Sequence, residues 1–239
     1  RVHLYRALLA VLALATLAII YVATPLHTSA QQPQIDAAHT ERPATAQAER
    51  PASTTSKQPA AVPWLRVVIP SVGRNPETDY LLRTLDTLCT TAPSSMGHPI
   101  RSGLEIVAVN NHDPPAAHAV FAQARIIFAQ LVTFIDTVVP PGGCAQNARL
   151  KRVTPKVQKQ TCGLVSAIQA VLALSTASEH VLMMEDDWLL CPNGLFALSY
   201  FIDKATRYDP RWIALRVSYG FNGIVLRWAD MRSLQTHLA

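Results

Sequence analysis

Three short apolar runs, each closing on a polar cluster, do most to limit what this chain can fold into. Leu65-Arg66-Val67-Val68-Ile69 runs into Pro70-Ser71-Val72-Gly73-Arg74. Leu104-Glu105-Ile106-Val107-Ala108-Val109 runs into Asn110-Asn111-His112-Asp113, and His180-Val181-Leu182-Met183-Met184 into Glu185-Asp186-Asp187. Runs of this length, bounded by turn-forming residues, read as strands, and Pro70 is expected to stop the first of them. The segments between carry helical spacing. Asn75-Pro76-Glu77 is predicted to open a helix through about Thr90, with Leu81, Leu85 and Leu88 on one face and Leu82 flanking it. Further helices are predicted over Ala116 to about Gln130, Val157 to about Ser175 and Gly194–Thr206, with strands near Leu131–Val139 and, last, Trp212–Val217. Strands alternating with helices imply an α/β fold with a mostly parallel sheet covered on both faces. In open sheets of that kind ligands bind beyond the carboxyl ends of the strands, where these polar clusters fall.

The N-terminal part is a different material. Ala7–Ala23 carries no charge and follows Arg1 and Arg6. A bilayer-spanning helix needs about 20 apolar residues, with a range of roughly 17–25, and flanking basic residues stay cytosolic. The expected organisation is a cytosolic tail (1–6), a transmembrane signal anchor (7–24), a disordered stem rich in Ala, Pro, Gln, Thr and Ser (25–63), and a folded domain (64–239). The competing reading is a signal peptide cleaved near Thr28-Ser29-Ala30, which leaves the remainder secreted. This layout explains why 49% of the chain is hydrophobic and only 15% charged, and why 17 Pro outnumber 9 Gly. The net charge of +5 comes partly from the anchor flank and from a basic stretch, Arg149, Lys151, Arg152, Lys156 and Lys159. A membrane-directed chain places that stretch outside the cytosol, so nucleic acid is not an expected partner.

The acidic triplet Glu185-Asp186-Asp187 is the sharpest candidate for chemistry. Adjacent carboxylates repel one another and lose hydration when buried, so a cation is a natural partner. Carboxylate oxygens suit Mg²⁺ or Mn²⁺, with substrate phosphates completing the shell. The bland alternative is a solvated turn in which Asp187 or Asn193 caps the next helix. At the first strand end Arg74 suits a phosphate and Gly73 permits close backbone approach; at the second, Asn110, Asn111 and Asp113 could bond a base or ribose. Each of these also fits an ordinary turn. There is no G-x-G-x-x-G dinucleotide fingerprint, no G-x-S-x-G nucleophile elbow and no H-E-x-x-H among the eight His. The four Cys (Cys89, Cys144, Cys162, Cys191) show no C-x-x-C spacing, so zinc is not expected, while an oxidising lumen would allow up to two disulfides.

Taken together, the tail, anchor, Pro-rich stem and α/β domain look like a Golgi type II glycosyltransferase. Arg66-Val67-Val68-Ile69-Pro70-Ser71-Val72-Gly73-Arg74, the block Leu182-Met183-Met184-Glu185-Asp186-Asp187 with Pro192-Asn193 after it, and Gly220-Phe221-Asn222-Gly223 are similar, in order and context, to the N-acetylglucosaminyltransferase IV family. A related resemblance is to the GPI-anchor N-acetylgalactosaminyltransferase, which also carries Glu-Asp-Asp. The resemblance spans about residues 64–238. It implies a GT-A fold, a Rossmann-like sheet that binds a nucleotide-sugar, and inverting transfer of N-acetylglucosamine from a UDP-sugar donor to a glycan acceptor in N-glycan processing, with Mn²⁺ or Mg²⁺ as cofactor. It also implies roles. Asp187 is the main metal ligand with Asp186 beside it. Glu185 lies near the ribose or sugar. Ser71, Val72 and Arg74 line the nucleotide pocket, Asn111 and Asp113 contact uridine, and Gly220, Phe221, Asn222 and Gly223 shape the sugar or acceptor side. Residues 64–239 are short for a complete domain of this kind. Enzymes of this kind usually draw their acceptor loops, and often the general base an inverting transfer needs, from sequence further on, so the readings kept open are an incomplete domain and a truncated, inactive relative, and no base is assigned. The other classes kept open are an inactive luminal UDP-sugar-binding relative and a secreted α/β protein with a structural acidic triplet.

Overall fold

In the computed structural model, residues 62–74, 78–137, 154–218 and 222–238 are described, all within the unit Lys57–Ala239. The uncharged run Ala7–Ala23, the stem as far as residue 61, Cys144, Gly220 and Phe221 lie outside them. Among the described residues no helix is long and apolar enough to cross a membrane.

The strands are β1 (Leu65–Ser71), β2 (Leu104–Asn110), β3 (Val132–Asp136), β4 (His180–Met183), β5 (Ala214–Arg216) and β6 (Ile224–Arg227). The helices are α1 (Tyr80–Thr91), the single turn α2 (Pro99–Ser102), α3 (Ala119–Ile127), α4 (Pro155–Leu172), α5 (Gly194–Tyr208) and α6 (Trp228–Leu238). The sheet order is β3-β2-β1-β4-β6-β5. β1 pairs in parallel with both β2 and β4, and β2 with β3, whereas β6 runs antiparallel to β4 and to β5. The expected mixed α/β architecture with a mostly parallel, Rossmann-like sheet is therefore present.

Period-2 alternation sorts the strand side chains onto two faces. Leu65, Val67 and Ile69 of β1 join a core completed by Leu81, Leu85 and Leu88 of α1 and by Leu195, Leu198 and Ile202 of α5. Val68, Val107, Val109, Val181 and Met183 join the opposite core, against Ile168 and Val171 of α4 and Met231 of α6. Both faces are covered, which is why these strands read as nearly continuous apolar runs. The exception is Arg66, fully buried on the α4 and α6 side. It is held by Glu105 Oε2 at 2.7 and 2.9 Å and by the Thr176 carbonyl at 2.8 Å.

Several predicted boundaries change. β1 passes through Pro70 to Ser71 instead of stopping. Val68 turns its carbonyl toward β4, where Met184 N donates to it at 3.0 Å. Pro70, two residues on, faces the same edge, past the last paired residue of β4, so its missing N–H interrupts no ladder. The helix expected over Ala116–Gln130 is a short turn of 3₁₀ at Pro115–Ala117 followed by α3, and His118 caps α3 by accepting from Phe121 N at 3.3 Å. α4 is capped by Thr154 with Pro155 in its first position and ends at Leu172, three residues short of Ser175. The strand predicted over Trp212–Val217 contracts to Ala214–Arg216 and is not the last, because β6 and α6 follow.

This order creates a switch point. From β1 the chain adds β2 and β3 on one side, then returns to place β4 on the other. The helices that follow β1 and β4, α1 and α5, cover one face, while α4, which carries the chain back, covers the other, and the crevice at the strand ends flanking this reversal is where ligands bind in open sheets.

Candidate functional site

The crevice is lined at the β1 end by Ser71, Val72, Gly73 and Arg74, with His112, His118 and Asp186 among the groups facing them, and encloses about 230 Å³. Asp186 is the hub. Its side chain is buried; Ser71 Oγ donates to its Oδ2 at 2.6 Å and Arg74 Nη2 to its Oδ1 at 2.8 Å. Thr84 Oγ1 of α1 lies 2.8 Å from the Asp186 carbonyl oxygen and 3.0 Å from that of Trp188, and so pins the turn that carries the acidic residues. The second nitrogen of the guanidinium, Arg74 Nη1, donates to Asp187 Oδ2 at 2.8 Å. Arg74 thus bridges the two aspartates while its carbon sits 5.4 Å from the centre of the Tyr80 ring.

A directed chain of hydrogen bonds runs into this hub. His118 Nδ1 accepts from Phe121 N, so in the neutral ring the proton is on Nε2. Nε2 lies 3.0 Å from Ser71 Oγ. It therefore donates to the hydroxyl, whose own proton goes to Asp186. Serine is the middle member here, with its proton directed at a carboxylate, which is not the arrangement of a serine nucleophile activated by histidine.

Burial pushes the Asp186 carboxyl above its usual value; the Ser71 bond and Arg74 pull it back, and Asp187 and Glu185 push it up again. Burial works against the Arg74 charge, but its bond to Asp187 and the charges of Asp186, Asp187 and Glu185 outweigh that and raise it. Burial and the neighbouring His112 lower His118 to about 4, so the ring is neutral near pH 7 and the tautomer assignment holds there.

The predicted residues divide into those the fold brings together and those it does not. Ser71, Val72, Arg74, Asp186 and Asp187 converge at the switch point. Glu185 joins them through the backbone but is held by Asn222: Glu185 N donates to Asn222 Oδ1 at 2.7 Å, and Asn222 Nδ2 to Glu185 Oε2 at 3.0 Å. Gly223 N donates to the Met183 carbonyl at 3.1 Å, which ties this turn to the end of β4. Asn111 is buried and engaged on both sides of its amide, by the Gly163 carbonyl at 2.9 Å and by Thr137 Oγ1 at 2.8 Å. Asp113 is exposed just before a cis proline and is not among the residues lining the crevice. Lys156 and Lys159 are exposed on the first turns of α4; the rest of the basic stretch lies outside the described residues. Cys89 and Cys191 are free thiols, so a pairing of all four cysteines into two disulfides is not present.

Asp187, with a third of its side chain exposed, offers the most open carboxylate. Among the described residues no group of three or more His, Cys, Asp or Glu side chains is placed to hold a metal ion. The donor chemistry fits a hard divalent cation that takes one carboxylate from Asp187 and further oxygens from a phosphate ligand, since such ions often bind through one or two carboxylates. Asp186 fits a supporting role, because both its oxygens are already engaged.

Three contributors were not legible as site residues. His118 meets Ser71 across 47 residues, with no spacing motif to announce it. His112, which accepts from Gly73 N at 3.2 Å, was read only as part of a turn. Thr84 did carry a signal: a hydroxyl on the Leu81, Leu85, Leu88 face of a helix must find a partner inside the core.

No family model matches the chain, and no curated protein sequence matches it. Among solved structures the chain is similar to a crystal structure of residues 1–349 of TarS from S. aureus, at 13% identity and a TM-score of 0.41. The similarity covers 71% of this chain and 48% of that one, so the chain spans about half the length of this structure.

Proposed function

We propose that this domain is the donor-binding part of a metal-dependent glycosyltransferase of GT-A type, which takes a UDP-N-acetylhexosamine, with N-acetylglucosamine the favoured sugar, and transfers it to a glycan acceptor. The observation that carries the reading is the Arg74–Asp186–Asp187 cluster at the switch point, beside a crevice backed by Ser71. A guanidinium with two carboxylates is the combination a diphosphate and a divalent cation can share, the arginine facing phosphate and Asp187 the cation. In transfer, negative charge builds on the departing diphosphate, and Arg74 would stabilise it. Asp186, fixed by Ser71 and Thr84, holds Arg74 and the Asp187 backbone in place. A divalent ion bound through Asp187 would supply Lewis-acid stabilisation of the same leaving group. The order of motifs shared with the N-acetylglucosaminyltransferase IV family supports the donor assignment. The signal anchor, stem, Golgi membrane location and role in N-glycan processing belong to the same proposal and rest on the N-terminal sequence and that resemblance.

The test is UDP binding by calorimetry and thermal shift, with Mn²⁺ and with a chelator. UDP should protect the protein only with the cation, and Asp187→Asn should abolish that protection while changing unfolding stability by no more than about 1 kcal/mol, as befits a partly exposed ion pair. Protection by UDP that persists in chelator, or in Asp187→Asn, overturns the reading.

A further inference from the structure

Asn222 stands at the turn into β6 and reaches back 37 residues to Glu185. Its amide orientation follows from chemistry. The Glu185 backbone N–H can only donate, so Asn222 Oδ1 must face it, and the NH₂ group then faces the carboxylate. One side chain therefore grips both the backbone and the side chain of one residue. The grip is itself anchored. Gly223 sits at φ 67°, donates to the last residue of β4 and accepts from Val217 N at 2.8 Å.

We propose that Asn222 is a positioning residue: it acts on a sugar donor through Glu185, whose carboxylate it aims, and not by touching the donor itself. This rests on the nucleotide-sugar reading of the site. The clamp is neutral, so it fixes the direction of Glu185 without cancelling its charge. Asn222 occupies Oε2, and among the described residues Oε1 takes no hydrogen bond. An anionic oxygen held beside Asp186 and Asp187 repels phosphate and suits a neutral donor, which assigns Glu185 to a hydroxyl of the sugar and not to the diphosphate.

The experiment compares binding of UDP and of UDP-N-acetylglucosamine, each with Mn²⁺, to the wild-type chain, Asn222→Ala, Glu185→Ala and the double variant, together with their melting temperatures. Asn222→Ala should weaken UDP-N-acetylglucosamine about tenfold and leave UDP within about twofold. In the Glu185→Ala background the Asn222 change should cost less than it does in the wild-type chain, because only the grip on the residue-185 backbone N–H is left to lose, and the losses in melting temperature should likewise be less than additive. Equal weakening of both ligands, or losses that multiply in the double variant, overturns the proposal. Glu185→Gln guards against misfolding: its amide oxygen can still accept from Asn222, so melting should be unchanged while the sugar-dependent affinity falls about tenfold. If UDP does not bind the wild-type chain, the nucleotide reading fails, and the clamp is still decided by the melting cycle, additive losses refuting it.

Discussion

His118 makes folding stability depend on pH in a way that can be worked through. Its ring is buried between Ser71 and the first turn of α3, and its folded-state value is lowered from 6.5 to about 4 by burial and by His112. The unfolded chain therefore takes up the proton first. The stability contributed by the neutral ring is fully present above about pH 6.5 and is lost as pH falls from there toward 4. At about 1.36 kcal/mol per pKa unit, the loss relative to pH 8 is about 2 kcal/mol at pH 5 and about 2.5 kcal/mol at pH 4.5. His118→Gln is the matched control. Its amide can donate to Ser71 and accept from Phe121 N, but it does not titrate. Urea unfolding of both proteins at pH 8, 6, 5 and 4.5 gives the difference directly. Asp186 contributes with the opposite sign, since its raised carboxyl stabilises the fold as pH falls toward the usual carboxylate value, but it is common to both proteins. Parallel stability–pH curves for wild type and His118→Gln would refute the argument.

Two further outcomes follow from backbone and core geometry. Gly223→Ala forces a side chain at φ 67° to within 2.8 Å of Val217 Cγ2 and 2.9 Å of Ser218 Cβ, so the urea midpoint should fall by the equivalent of about 2 kcal/mol with the slope unchanged; an unmoved midpoint would contradict the turn as described. Arg66→Met leaves Glu105 without its partner; because Glu105 keeps about a quarter of its side chain exposed, the cost should be about 2–3 kcal/mol, below the 3–5 typical of a fully buried pair, and Glu105→Gln in the same background should recover part of it by chemical denaturation.

The elements that were legible in the sequence are those whose signal is local. β1, β2 and β4 are covered on both faces and so appear as nearly continuous apolar runs, interrupted in β1 and β2 by the paired Arg66 and Glu105, and the Leu81, Leu85, Leu88 spacing of α1 survives intact. β6 escaped because Ile224-Val225-Leu226-Arg227 passes into the helix at Trp228 with no intervening turn residue. Pro70 misled because the rule against proline in a strand holds only where a neighbouring strand needs the missing N–H. In the site, the strand-end position of Ser71, Arg74 and Asp186 could be anticipated from alternation alone. Their pairing could not: it depends on β4 returning to the far side of β1. Asn111 shows the converse. Its type and strand-end place suit a ligand, yet its amide is consumed in joining β2 to α4.

The reversed direction of β6 has a further consequence, for the order of folding. Ser71 and Asp186 are separated by 115 positions, and Glu185 and Asn222 by 37 more in the same direction. The central strand is among the first parts of the domain to be made, yet one of its edges waits for β4, and the acidic turn waits longer still for the strand that clamps it. Contacts of such long range raise the entropic cost of reaching the transition state and slow folding. The crevice accordingly depends on the whole sheet for its geometry. A substitution that loosens β6 should therefore scatter the acidic residues before it melts the β1–β2–β3 half.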